Sequence, residues 1–226
     1  DTMPYRLLLP QNYDPGKKYP IILFLHGSGE RGNNNEAQLI HGGTMFLVDS
    51  IRKNYRAIVV FPQCSANGAW ANSISKRDSS GKVERVFYTK GQPTRDMVLV
   101  QKLIKNIIHN YPINKNQVYV GGLSLGGMGT FEIVRRNPKL FAAAFPICGG
   151  ANVAITPKLK KVNWWVFHGA DDKAVDPVFS KNMVGAMQQL NIPVQFTLYP
   201  NTGHNSWDKV FIEPKLFEWL FSNKKK

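Results

Sequence analysis

Ser124 lies in the run Val118-Tyr119-Val120-Gly121-Gly122-Leu123-Ser124-Leu125-Gly126, whose last five residues read G-x-S-x-G. The β-branched and aromatic start suits a buried strand, and the residues beyond Ser124 open a helix. A strand that turns straight into a helix lifts the turn side chain clear of the sheet, which is where a nucleophilic hydroxyl has to stand. Gly122 and Gly126 are needed because a Cβ at either place would collide across so tight a bend. Leu125 begins the helix, so its N–H is free to face the same space and hold a negative oxygen.

The chemistry in view is acyl transfer. A serine hydroxyl is a poor nucleophile until a base takes its proton, and an imidazole fixed by a carboxylate does this near neutral pH. Of the five histidines, His204 stands after the last apolar strand, in Asn201-Thr202-Gly203-His204. His26 ends a buried strand and reads as a structural hydrogen-bonding group. His41 and His109 fall on predicted helical stretches, and His168 on a strand-end turn. Asp171, Asp172 and Asp176 compete for the acid. The glycine-rich loop His26-Gly27-Ser28-Gly29-Glu30-Arg31-Gly32 lets backbone N–H groups point at a reacting carbonyl, and Ser28 is expected to give the second oxyanion donor. Trp70 and Trp207 fit a pocket wall or the core equally well.

The elements that must position these groups alternate along the chain. Tyr5–Pro10 and Ile21–Leu25 read as strands around a turn-rich segment. The second is apolar throughout, as in a strand covered on both faces. A helix is expected over Glu36–Ile51 and strands over Ala57–Pro62, Phe141–Ile147, Trp164–Phe167 and Val194–Tyr199. Asp96–Asn110 is the clearest helix, with Val100, Leu103, Ile104, Ile107 and Ile108 on one stripe. Pro177–Leu190 and Trp207–Phe221 complete the helices. The connection from Gln63 to Pro93 holds Trp70, the polar stretch Ser73–Gly81 and a possible small hairpin in Val83–Tyr88. A connection this long is expected to act as a lid or rim that shapes specificity. The alternation predicts an α/β class with a mainly parallel sheet, flanked by helices, in which sites gather at the carboxyl ends of strands.

Composition narrows the class. A chain of 226 residues is read as one domain able to bury a substantial core. No apolar run is long enough to span a bilayer. The opening Asp1-Thr2-Met3-Pro4 suggests numbering that starts after a removed or truncated leader. Cys64 and Cys148 follow strands that are not neighbours, so buried free thiols are expected rather than a bridge. Much of the charge of +14 sits on predicted helix surfaces and tails, at Lys102, Lys105, Arg135, Arg136, Lys158 to Lys161 and Lys224 to Lys226. Without an aromatic-basic recognition motif it reads as a solvated face and not as a nucleic-acid site. Neither an H-E-x-x-H helix nor a cysteine-histidine cluster is present, so no metal and no cofactor is expected.

The blocks MPYRLLLP, LHGSGERGNN, FPQC with Trp70, GGLSLGGMGTFEI, WWVFHGADDKAV and YPNTGHNSWDKVF resemble single-domain serine esterases of the α/β-hydrolase superfamily. The branch is the one holding phospholipase/carboxylesterase-type, polyhydroxybutyrate-depolymerase-like and feruloyl-esterase-like enzymes, often labelled predicted peptidases. The order Ser124, Asp172, His204 matches the order of that superfamily. The resemblance of His168–Val175 to its HGxxDxxV signature selects Asp172. It implies a serine carboxylic-ester hydrolase working through an acyl-enzyme on Ser124, acting on small acyl or aryl esters, acetyl or feruloyl, carbohydrate-linked among them. It also implies a secreted or periplasmic setting. A monomer and a homodimer are equally compatible. The alternatives are a prolyl-oligopeptidase-like peptidase, whose gating domain has no room here, and a non-catalytic glycan-binding module. Two departures stand out: a first strand common in the family is absent upstream, and the Ser73–Pro93 insertion has no counterpart.

Overall fold

The computed structural model describes residues 2–77, 79 and 83–225. Asp1, Lys226 and part of the polar Ser73–Gly81 stretch lie outside the described residues. Strands β1 (Tyr5–Leu8), β2 (Tyr19–Leu25) and β3 (Ile58–Pro62) surround helix α1 (Asp49–Asn54) in sequence. A hairpin of β4 (Ser73–Arg77) and β5 (Val83–Phe87) precedes helix α2 (Arg95–Asn110). Then come β6 (Ile113–Leu123), α3 (Leu125–Arg136), β7 (Ala143–Ile147), β8 (Asn163–Gly169), α4 (Val178–Gln189) and β9 (Val194–Tyr199). The described chain closes with α5 (Trp207–Val210) and α6 (Leu216–Ser222).

Seven strands form one sheet in the order β1-β3-β2-β6-β7-β8-β9, parallel except for β1 against β3. The apolar runs are explained by what covers the two faces. In β2, Ile21, Leu23 and Leu25 enter the core shared with α2, α3 and α4, while Ile22 and Phe24 enter the opposite core with Phe46, Leu216, Phe217 and Leu220. Trp164 and Val166 of β8 divide from Trp165 and Phe167 in the same way. Period-two alternation thus feeds two cores at once, each fully buried side chain contributing about 1.5–3 kcal/mol.

Four expectations are corrected. The helix over Glu36–Ile51 is replaced by 3-10 turns at Ala37–Leu39 and Thr44–Leu47, followed by α1. Gly42 has φ +93°, and a Cβ there would come within 2.6 Å of the Phe24 ring, so the chain bends where a helix would continue. The terminal helix breaks into α5 and α6, with Pro214, which has no N–H to give, between them. Val83–Tyr88 is not a hairpin by itself: β5 is one arm, and β4 supplies the other. Finally, Arg135 is no solvated charge. It is buried with Glu132, which also takes Arg136 at 2.6 Å, and the two guanidiniums hold the carbonyls of Thr89 and Gly91. This network clamps the segment after the hairpin onto α3.

Candidate active site

The elbow forms as the pentapeptide requires. Ser124 has φ 53° and ψ −113°, a strained conformation for a residue with a Cβ, and its amide is fixed by the carbonyl of Ile147 at 2.9 Å. A Cβ on Gly122 would stand 2.7 Å from the carbonyl oxygen of Gly126, the collision across the bend. On Gly126 it would stand 1.9 Å from the carbonyl oxygen of Leu25, so this glycine answers to the neighbouring strand β2.

β8 and β9 bring the other two groups to the same end of the sheet. The amides of Ala170 and Asp171 bond the carbonyls of Tyr199 and Thr202, both at 2.9 Å, which ties the Asp172 loop to the His204 loop. His204 Nε2 lies 2.9 Å from Ser124 Oγ and its Nδ1 lies 2.7 Å from Asp172 Oδ2. Asp172 Oδ1 accepts from the amides of Ala174 and Val175. His168 Nε2 approaches Asp172 Oδ2 at 3.2 Å. Burial alone would raise the Asp172 carboxyl, but the bonds from His168, His204 and the Val175 amide together hold it well below the usual carboxylate range. An ionised Asp172 keeps the proton of His204 on Nδ1, which leaves Nε2 as an acceptor for the serine proton. Asp171 and Asp176 are exposed and point elsewhere; Asp176 caps the start of α4 through the Val178 amide.

His204 is 27 % exposed, whereas the Asp172 side chain is fully covered. Protein therefore closes the Asp172 side of the array and leaves the imidazole of His204 partly exposed beside the buried Ser124. The loop after β2 passes directly by the nucleophile, since a Cβ on Gly27 would stand 3.7 Å from that of Ser124. Ser28 and Leu125 each open a helical turn, so neither amide is spent inside its own element. The Trp207 ring stands against His204, with centroids 5.2 Å apart at 83°.

Trp70 is corrected: it is fully buried, donates its indole N–H to the carbonyl of His26 and packs on the His26 ring, so it belongs to the core. His41 lies outside any helix and leans on Trp207 as well, 3.8 Å from Glu30. Glu30 Oε2 is buried and has no hydrogen-bond partner among the described residues. Neither residue carried a signal in the sequence: the turn after β2 sets Glu30 beside Gly27 and so near Ser124, and His41 meets Trp207 and Glu30 only in the fold. Cys64 and Cys148 are free and buried. The ligand-capable atoms of Cys148, Asp172 and His204 lie within 4.8 Å of one another, a cluster not visible in the sequence, and burial pushes the Cys148 thiol up so that it stays protonated.

His26 holds the loop. The Cys64 amide donates to Nε2 at 2.9 Å, so Nδ1 carries the proton and donates to the carbonyl of Gly27. Burial, which outweighs the Gly27 bond, pulls His26 down to about 4 from 6.5. The unfolded chain then binds a proton that the folded chain refuses between these values, so stability falls as pH drops from about 6.5 to about 4, by about 3 kcal/mol. Thermal unfolding followed over this range should show the fall, and His26→Gln should flatten it.

Comparisons with known proteins agree with this architecture. The family described as "Putative esterase" matches residues 1–211. The chain is 28% identical over 197 residues to "Probable carboxylesterase SOBER1-like" of Arabidopsis thaliana, covering 82% of this chain and 72% of the relative. It is 28% identical over 200 residues to the "Bifunctional acetylxylan esterase/xylanase XynS20E" of Neocallimastix patriciarum, covering 85% of this chain and 25% of that protein. Among solved structures, a thermostable esterase superposes with a TM-score of 0.87 at 31% identity, covering 99% of this chain and 60% of that one. The chain thus spans most of the plant relative and only part of the other two. It has the α/β-hydrolase fold and belongs to the Esterase family, with carboxylesterase and esterase relatives.

Proposed function

We propose that Ser124, His204 and Asp172 form a catalytic triad that hydrolyses small acyl or aryl esters, acetyl and feruloyl esters included, some of them carbohydrate-linked. Ser124 Oγ attacks the ester carbonyl while its proton passes to His204 Nε2. The Ser28 and Leu125 amides hold the resulting oxyanion. The carbon–oxygen bond to the alcohol breaks, and His204 returns the proton to the leaving oxygen. Water then enters by the same route, releases the acid and restores the serine. Trp207, beside the imidazole that protonates the alcohol, walls the leaving-group side. The observation that carries this reading is the continuous hydrogen-bonded chain from Ser124 through His204 to Asp172. The acetylxylan esterase relative supports the acetyl end of the range.

The test is a fluorophosphonate probe, with the adduct located by mass spectrometry, beside p-nitrophenyl acetate, butyrate and longer-chain esters, methyl ferulate and a proline p-nitroanilide. An adduct on Ser124 with ester turnover and an inert anilide is expected. Turnover of the anilide in preference to the esters would establish a peptidase, and no adduct with no turnover would remove the serine mechanism.

A further inference from the structure

The β4–β5 hairpin places a cation on Met128, one turn of α3 beyond Ser124, with no acid among the described residues to match it. Phe87 is buried against Ala71, Met128 and Val175, which fixes the inner face of β5. Arg85, two residues earlier, shares that face and lies opposite Ser75. It is half-buried, and its Nη1 rests 3.4 Å from Met128 Sδ, a weak acceptor. Among the described residues no carboxylate pairs with it. Burial alone draws Arg85 below the usual arginine range, with no opposing charge to hold it up. The contrast with the neighbouring arginines is internal to the chain: Arg135 and Arg136 share Glu132, leaving that carboxylate spent. Partly desolvated guanidinium groups are ordinarily paired, so a half-buried one without a carboxylate among the described residues marks a place for an anion.

The anion's place relative to the chemistry follows from the helix. Met128 donates its amide to the carbonyl of Ser124, so the two are one turn apart, about 6 Å along the axis of α3. On its other side the cluster under the hairpin contains Val175, whose amide holds Asp172. We propose that Arg85 forms a carboxylate-binding subsite beside Ser124, and that the preferred esters carry a carboxylate a few bonds from the scissile carbonyl. This rests on the hydrolase reading above and adds a substrate class to it. A guanidinium offers a carboxylate two parallel N–H bonds, which a lysine cannot reproduce. The +14 charge of the chain favours the approach of such substrates at low salt.

The carboxylate belongs to the acyl group or to the alcohol, and matched pairs separate these. Mono-p-nitrophenyl adipate against p-nitrophenyl hexanoate probes the acyl side. 4-Acetoxybenzoate against its methyl ester probes the alcohol side. In one pair the kcat/KM ratio of charged to neutral ester should exceed 10, and Arg85→Gln should lower that ratio on the order of 10- to 100-fold. Arg85→Lys should keep part of it, and added salt should shrink it. Fluorophosphonate labelling of each variant reports that the elbow is still formed. A ratio near or below one in both pairs, or a ratio that Arg85→Gln leaves unchanged while labelling persists, overturns the subsite. Absence of labelling and of all ester turnover in the unmodified chain instead removes the hydrolase reading on which it stands.

Discussion

Ser124→Ala is expected to lower ester hydrolysis by about 10⁴-fold or more, measured as kcat on p-nitrophenyl acetate, and to abolish fluorophosphonate labelling. The hydroxyl lies 2.9 Å from His204 Nε2, and no other hydroxyl among the described residues bonds that nitrogen, so the acyl-enzyme has no second place to form. What survives is the background from the oxyanion amides and from substrate binding. A companion variant separates chemistry from folding. Ala keeps a Cβ at φ 53° and so keeps the strain, whereas Gly removes it. Ser124→Gly should therefore be as inactive as Ser124→Ala yet unfold at a higher temperature, by an amount corresponding to about 1–3 kcal/mol. Equal unfolding temperatures would mean that the strain is no larger than the roughly 0.5–1 kcal/mol that glycine costs through the freedom of the unfolded chain.

Asp172→Asn should cost about 10⁴-fold in kcat while the fold is retained. The amide oxygen of Asn can still accept from Ala174 and Val175, as Oδ1 does now. Its NH₂ then faces His204 Nδ1, which has to become the acceptor. The proton moves to Nε2, and the atom that should take the serine proton is already occupied. The carboxylate also leaves a pH signature. Because the Asp172 carboxyl is held below its ordinary value, the stability it contributes is complete above about pH 4 and is lost on further acidification. Asp172→Asn should lack that acid segment, which a titration of the unfolding midpoint below pH 4 will show. An acid limb in activity above about pH 4 then belongs to a group other than Asp172.

The elbow, the order of the sheet-end loops and the covering of β2 on both faces were legible in the residues because each is a local pattern: glycine spacing, a continuous apolar run, turn chemistry. Even the choice of Asp172 among three aspartates was available, although only from its resemblance to a known signature. Helix continuity was not legible around Gly42 and Pro214, since one glycine or proline decides there whether a periodic stretch is one helix or several turns. Trp70 went to the core because the neighbouring Gly129 leaves room for it: a Cβ on that glycine would stand 2.4 Å from the Trp70 Cβ. Arg135 left the surface because Glu132, three residues away, could neutralise it as the segment beyond the hairpin closed over both.

By itself the sequence determined the α/β class and singled out Ser124 and His204 as the candidate nucleophile and base, because these depend on which side chains follow which strands. Only the tertiary structure decided which charges are paired, which rings line the opening and which carboxylates are buried beside Ser124. Those outcomes depend on residues far apart in the chain sharing one desolvated space, and no local pattern encodes a partner that folding alone brings near.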